Sequence, residues 1–278
     1  MKKLNRLIWL AAAVSLLAGC ATPAPSPTPT ALPSPTSEPL PIVFFEEYLP
    51  AGWGVPEALP EGLSAGKEAA QADILLGLAP DNPQARLVLA LAAPFPTLTD
   101  EISLEALRSA WTSGNAAGLP TAGLLVSNET LAALTALWGA PSDLVEGVPA
   151  EDLAALAWEQ DAWALLPFEQ LQPDLKVLRV DGQSPIRPEF DPAVYPLSLP
   201  FGPVENSERG KAWLAANPEA RFFSTASNYD RTQLTLLVMT GVTALVRGTA
   251  AMMEIKGMTY PAVDIREILR SADLTHVS

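Results

Sequence analysis

Two residue types that carry much side-chain chemistry are almost missing from this chain. Its 278 residues include one cysteine, Cys20, and one histidine, His276. A disulfide framework, a zinc finger and a Cys–His nucleophilic pair all need more than this, so all three are excluded. Positive charge is scarce as well: 17 Lys and Arg stand against 31 Asp and Glu, a formal net charge of −14. Such a surface repels phosphate backbones, and no nucleic-acid partner is expected. No Gly-x-Ser-x-Gly elbow precedes a helix, which leaves out a common serine-hydrolase arrangement. No catalytic residues, cofactor or metal ligands are therefore assigned. The apolar run from Leu7 to Leu17 would rise only about 16 Å as a helix, short of a hydrocarbon core of about 30 Å. What is present is an ordinary apolar fraction of 49%, enough for a packed core. The length suggests roughly two domains of about 150 residues each.

Lys2, Lys3 and Arg6 precede that apolar run, the pattern of a secretory signal. The run closes in Leu17-Ala18-Gly19-Cys20, which resembles the bacterial lipobox. The resemblance implies cleavage of the signal peptide (residues 1–20) before Cys20 and lipidation of the Cys20 thiol. An ordinary secretory signal with a chance cysteine is the alternative. After cleavage the charge would be −17. Several acyl chains, at about 0.8 kcal/mol per buried CH₂, would hold the protein on a membrane. The expectation is an extracytoplasmic lipoprotein whose membrane partner is reached through its N-terminal lipid.

Residues 21–41 hold eight of the 28 prolines. Proline lacks an amide donor and fixes φ, so this stretch is expected to be an extended linker. At about 3.1 Å per residue it would reach roughly 60 Å.

From residue 42 onward the pattern changes. Ile42–Phe45, Asp73–Leu76 and Arg86–Ala92 are apolar runs of strand length. A helix is expected over Ser103–Trp111 with Ser103 as its cap, since Leu104, Leu107 and Trp111 share one face. A second runs from Asn128 to Trp138, capped by Ser127 and stopped by Gly139, and a third begins at Pro149 with Leu153 and Leu156 on one face. Strands follow at Trp163–Leu166 and Leu175–Val180. Alternating strands and helices predict an α/β sandwich with mostly parallel sheets over residues 42–203.

Within that region three stretches resemble the type II periplasmic solute-binding proteins, the phosphate- and molybdate-binding kind above all. They are Leu87–Ala90 leading to Pro94-Phe95-Pro96-Thr97, Ile102–Leu107 with Trp111–Gly114, and Ala164–Pro167 with Leu178–Pro185 and Tyr195–Ser198. The last is similar to that fold's return crossing. The resemblance implies a ligand held at helix N-termini, where unpaired amides meet an oxyanion. The matching positions are Thr97 and Ser127, Asn128 and Thr130. Ser127 has two roles open to it, helix cap and ligand group. Glu129 departs from the family's turn, because its carboxylate would repel phosphate unless it accepted a ligand proton. A first binding unit also looks short between Phe44 and Leu75, which points to a degenerate binding module. Trp111, Trp138, Trp158 and Trp163 are expected in the core. Trp53, between Gly52 and Gly54, is the candidate for an exposed platform.

Residues 204–233 read as a connector with a helical piece at Lys211–Ala216. Beyond it, Leu234–Met239 reads as a strand, Arg247–Lys256 as a helix, Pro261 as the start of another, and Leu274–Val277 as a second strand. The runs Leu237–Arg247, Tyr260-Pro261 and Ile268–Thr275 resemble the opening of the CapA-type domain of capsule and poly-γ-glutamate synthesis, so residues 234–278 are expected to be an N-terminal fragment of one. Family members carry a metal-binding Asp after the first strand's Gly; here Gly241 is followed by Val242. The resemblances imply a cell-envelope lipoprotein of the CapA type with a degenerate binding module, acting on a surface polymer. The alternative is the solute-binding lipoprotein of an ABC-type importer, with a small anion as its ligand.

Overall fold

The computed structural model describes residues 39–50, 53, 59–115, 118–119 and 123–278. The signal segment, Cys20 and residues 21–38 of the expected linker lie outside them. In chain order the elements are β1 (Ile42–Phe45), β2 (Ser64–Ala65), β3 (Ile74–Leu78), β4 (Ala85–Pro94), β5 (Glu101–Ile102), α1 (Leu104–Ser113), β6 (Leu124–Ser127) and α2 (Asn128–Trp138). They continue as β7 (Val145–Val148), α3 (Leu153–Gln160), β8 (Trp163–Pro167), β9 (Leu175–Val177), β10 (Arg179–Val180), β11 (Ser198–Glu205) and α4 (Glu208–Ala216). The last four are β12 (Leu237–Met239), α5 (Gly248–Lys256), α6 (Arg266–Ser271) and β13 (Leu274–His276).

The main sheet runs β2-β1-β3-β11-β4-β8-β6-β7, with β9 also on β4. Its two outer arms, β2-β1-β3 and β8-β6-β7, are parallel. The middle strands β11 and β4 join them by antiparallel ladders. Counting the small β5–β10 and β12–β13 pairs, six of the ten ladders among the described residues are parallel. The chain is thus α/β with mostly parallel pairing, as its alternation of elements predicts.

Strand β4 is the spine. Every residue from Leu87 to Pro94 is buried, because the strand is paired along its length and covered on its faces. Helices α1 and α2 pack beside it through Trp111 and Trp138, whose rings meet edge-on at 5.5 Å. The Trp111 Nε1–H donates to the Gly139 carbonyl at 2.9 Å. Both helices carry the expected caps: Ser103 accepts from the Ala106 amide and Ser127 from the Thr130 amide. Gly114, at φ 70°, ends α1 in the left-handed conformation that glycine adopts without strain.

Strand β11 contains Pro200 and Pro203, which argue against a central strand. The register removes the conflict. Phe201 is level with both Leu78 of β3 and Ala85 of β4. Pro200 falls where β3 has already ended, and Pro203 where β4 has not begun, so neither missing N–H interrupts a ladder. The strand runs across the expected boundary between residues 203 and 204.

The first arm is tied at its base by Asp73, only 6% exposed. Its carboxylate accepts from the Ile42 amide at 2.7 Å, the Ser207 hydroxyl at 2.6 Å and Arg209 Nη2 at 2.5 Å. These partners hold its pKa at about 2, the Arg209 hydrogen bond contributing most. Its backbone carbonyl lies so close to Gly210 that a Cβ there would sit 2.0 Å from the oxygen.

Several local expectations need correction. Trp53 is buried, edge-on to Phe201 at 5.7 Å, and forms part of the core instead of an exposed platform. Trp158 is 44% exposed, because it lies on the outer face of α3, where its Nε1–H donates to the Asp174 carbonyl at 2.8 Å. The third helix starts at Leu153; Pro149 instead opens a turn closed by the Asp152 amide. The Leu175–Val180 run splits at Leu178, so that β9 pairs β4 while β10 pairs β5. The strand expected over Leu234–Met239 forms only from Leu237, because a 3-10 turn at Arg231–Gln233 delivers Leu234.

Residues 237–276 form a parallel β12–β13 pair joined through α5 and α6. Asp273 accepts from the Leu236 amide and from Arg231, which fastens this unit to the connector. Its apolar side chains face outward: Val242 is 92% exposed, and Met239, Ile255, Met258 and Leu274 are exposed as well. No described helix is long and apolar enough to cross a membrane.

Candidate functional site

In a parallel sheet, ligands gather at the carboxyl ends of the strands, where the order of connections reverses. Here two such ends face each other. Through Phe201, the end of β3 at Leu78 is level with Ala85. The end of β8 at Pro167 is level with Leu89. The two arms therefore converge on Arg86–Val88, an interval of roughly 10 Å along β4 at about 3.4 Å per residue. Both β6 and β7 end on the same side, and α2 starts there.

The chain's own connector lies in this interval. The Arg86 amide donates to the Ala226 carbonyl at 2.9 Å, and Arg86 bridges Ser227 in parallel sense. The Asn228 side chain accepts from the Val88 amide at 2.7 Å and donates to the Val88 carbonyl at 2.9 Å. It also donates to Glu169, just beyond the end of β8. Tyr229 packs edge-on to Phe168 at 5.2 Å and to Phe190 at 4.8 Å. Burial raises the pKa of Tyr229 and, much further, that of Tyr195, whose ring meets Phe190 at 5.0 Å. Both phenols are neutral at physiological pH. The junction is thus an aromatic seam with polar edges supplied by Asn228 and Glu169.

The residues expected to bind ligand are separated. Ser127 and Thr130 are buried at the start of α2 and satisfy each other: the Ser127 hydroxyl donates to Thr130 Oγ1 at 2.8 Å and accepts the Thr130 amide. Of Ser127's two open roles, the structure shows the cap. Asn128 and Glu129 are exposed in the first turn of α2, on the junction side. Thr97 lies past the far end of β4, beyond Pro94, at the opposite end of the second arm. Its carbonyl accepts from Lys176 Nζ at 2.9 Å. Asn228 and Tyr229 carried no motif that could identify them; their role comes from where the connector passes. Among the described residues no group of three or more His, Cys, Asp or Glu side chains is placed to hold a metal ion.

No protein-family model and no curated protein sequence matches the chain. Solved structures do. An ABC-type phosphate transport receptor from Vibrio cholerae is 15% identical with a TM-score of 0.41, over 55% of this chain and 80% of that one. A putative phosphate ABC transporter substrate-binding protein with bound phosphate, from Clostridium perfringens, is 14% identical with a TM-score of 0.37, over 56% of this chain and 81% of that one. The oxidized form of OxyR is 12% identical with a TM-score of 0.33, over 64% of this chain and 92% of that one. The likeness is one of fold alone.

Proposed function

We propose that the chain, whose two-armed sheet is similar in fold to type II periplasmic binding proteins, is an extracytoplasmic solute-binding module, tethered by lipid on Cys20, which takes a small solute where its two arms converge. The observation that carries this reading is the facing of the β3 and β8 ends across Arg86–Val88. Glu169 and Glu129 stand at the same strand and helix ends, so the solute must bring hydrogen-bond donors. Among small anions a protonated oxyanion such as dihydrogen phosphate fits this condition. Its binding should strengthen as pH falls and the protonated form grows.

A thermal-shift panel of phosphate, molybdate, sugars and amino acids on the full chain tests the proposal. Phosphate at a hundred times its pH 8 Kd should add about 2.7 kcal/mol of stability at pH 8, and the same concentration should add more at pH 6. No shift with any member of the panel would overturn the reading.

A second reading concerns residues 234–278, whose resemblance to the opening of a CapA-type domain implies a role in surface-polymer synthesis. It is favoured by the outward-facing apolar side chains of β12, β13, α5 and α6, which call for a covering layer. The full chain should then enhance the fluorescence of a hydrophobic dye, and a Val242→Ser/Ile255→Ser double variant should lose much of that signal. An unchanged signal in the folded variant would count against an open apolar face.

A further inference from the structure

Cations are few in this chain, yet Lys176, Arg179 and Arg187 line one cavity of about 240 Å³, together with Asp100, Ser184, Val177 and Ile186. The cavity lies at the far end of the second arm, away from the junction of the two arms. Its three cations have different duties. Lys176 uses its ammonium donors on Asp100 Oδ1 at 2.6 Å and on the Thr97 and Thr99 carbonyls at 2.9 and 3.0 Å. It pins the 97–100 loop against β9 and has no donor left for a ligand. Arg179 Nε stands 3.2 Å from Glu101 Oε2. Arg187 has no ion-pair partner among the described residues. The turn that carries it is closed by its own amide donating to the Ser184 carbonyl at 3.1 Å.

Ser184 supplies an independent pointer to a ligand. The residue is 3% exposed, lines the cavity, and its Oγ has no hydrogen-bond partner among the described residues. A buried hydroxyl without a partner costs free energy, and native proteins seldom leave one so without a ligand or water to meet it. With Asp100 and Glu101 set against the three cations, the cavity keeps one net positive charge. That matches a singly charged anion better than a doubly charged one. Val177 and Ile186 add an apolar part to the lining.

We propose that this cavity is a binding site for a small aliphatic monocarboxylate. The carboxylate takes hydrogen bonds from the Arg187 guanidinium and from the Ser184 hydroxyl, which turns toward the cavity to give one, and the alkyl tail lies against Val177 and Ile186. The site is separate from the solute site proposed above, and either can exist without the other.

Isothermal titration of the full chain with hexanoate, acetate and inorganic phosphate tests it. Hexanoate should bind more tightly than acetate, and both more tightly than phosphate at pH 8. Arg187→Gln, at an exposed position where folding is not at stake, should weaken hexanoate about tenfold, the usual size for losing a charged hydrogen-bond donor. Ser184→Ala should weaken it severalfold. Lys211→Gln, on α4 in the first arm, should leave it unchanged. No heat with either carboxylate, or full affinity in a folded Arg187→Gln variant, would overturn the site. Phosphate binding as tightly as hexanoate would overturn the ligand class.

Discussion

Asp73→Asn will lower the stability of the chain by about 2 kcal/mol at pH 7, with a fall in melting temperature of roughly 4–8 °C for a domain of this size. The carboxylate is the meeting point of β1, β3 and α4, through Ile42, Ser207 and Arg209. Its pKa is lowered from 3.8 to about 2, which corresponds to about 2.4 kcal/mol at 1.36 kcal/mol per pKa unit. Arg209 is itself 44% exposed, so water screens part of its contribution and the lower figure is the better one. Asparagine keeps an acceptor for the Ile42 amide but gives up the charge that Arg209 and the Ser207 hydroxyl meet.

The pH dependence identifies the source. A carboxyl group whose pKa is lower in the folded state stabilises fully above its unfolded value and loses that contribution as pH falls through the folded one. The native chain should therefore lose this stability between about pH 4 and pH 2, whereas Asp73→Asn should not. Urea unfolding at pH 7 and pH 2.5 would show the gap between the two chains closing in acid. A gap of equal size at both pH values would assign the loss to packing, not to the charge.

Much of this architecture was legible because its local signals agree with its tertiary context. Ser103 and Ser127 precede helices and cap them; Gly114 and Gly139 end them; the apolar run at Arg86–Ala92 is the buried spine. The α/β class followed from that alternation. What was hidden depends on register. Trp53 lies between two glycines and looks like a loop residue, yet Phe201, nearly 150 positions later, covers it. Strand β11 looks like a junction because of its prolines, and only the change of partner at Phe201 makes room for both. The site suffers from the same limitation. Thr97 and Ser127 both match a helix-entry pattern, but β4 sets them at opposite ends of one arm. Lys176, Arg179 and Arg187 lie within twelve positions, a visible cluster in an acidic chain, although Ser184's unpaired hydroxyl could not be read from spacing.

The connector is where fold and function meet, and Asn228→Ala should expose this. Val88 is fully buried, and the Asn228 amide gives its N–H and C=O the two bonds that a neighbouring strand would otherwise supply. Alanine leaves both groups unpaired in the core, at a cost of about 1–3 kcal/mol each. Some of that cost will be avoided by the segment moving away, so a net loss of about 2–4 kcal/mol is expected. The loss should be local. Trypsin cleavage at Arg221 and Arg231, which flank the segment, should quicken about 30-fold or more if cutting follows the population of the opened form. Asn228→Asp separates the two bonds: it still accepts the Val88 amide, but it cannot donate to the carbonyl and sets a second carboxylate against Glu169. Its cleavage should quicken as well, which would show that the acceptor alone does not hold the segment. Because residues 226–228 occupy the interval where the two arms converge, a ligand there must displace them or bind over them. If it displaces them, Asn228→Ala removes part of the opposing free energy, and the variant should bind phosphate more tightly than the native chain while melting at a lower temperature. Equal affinity in both would place the solute over the seam, with no contact to the Asn228 amide.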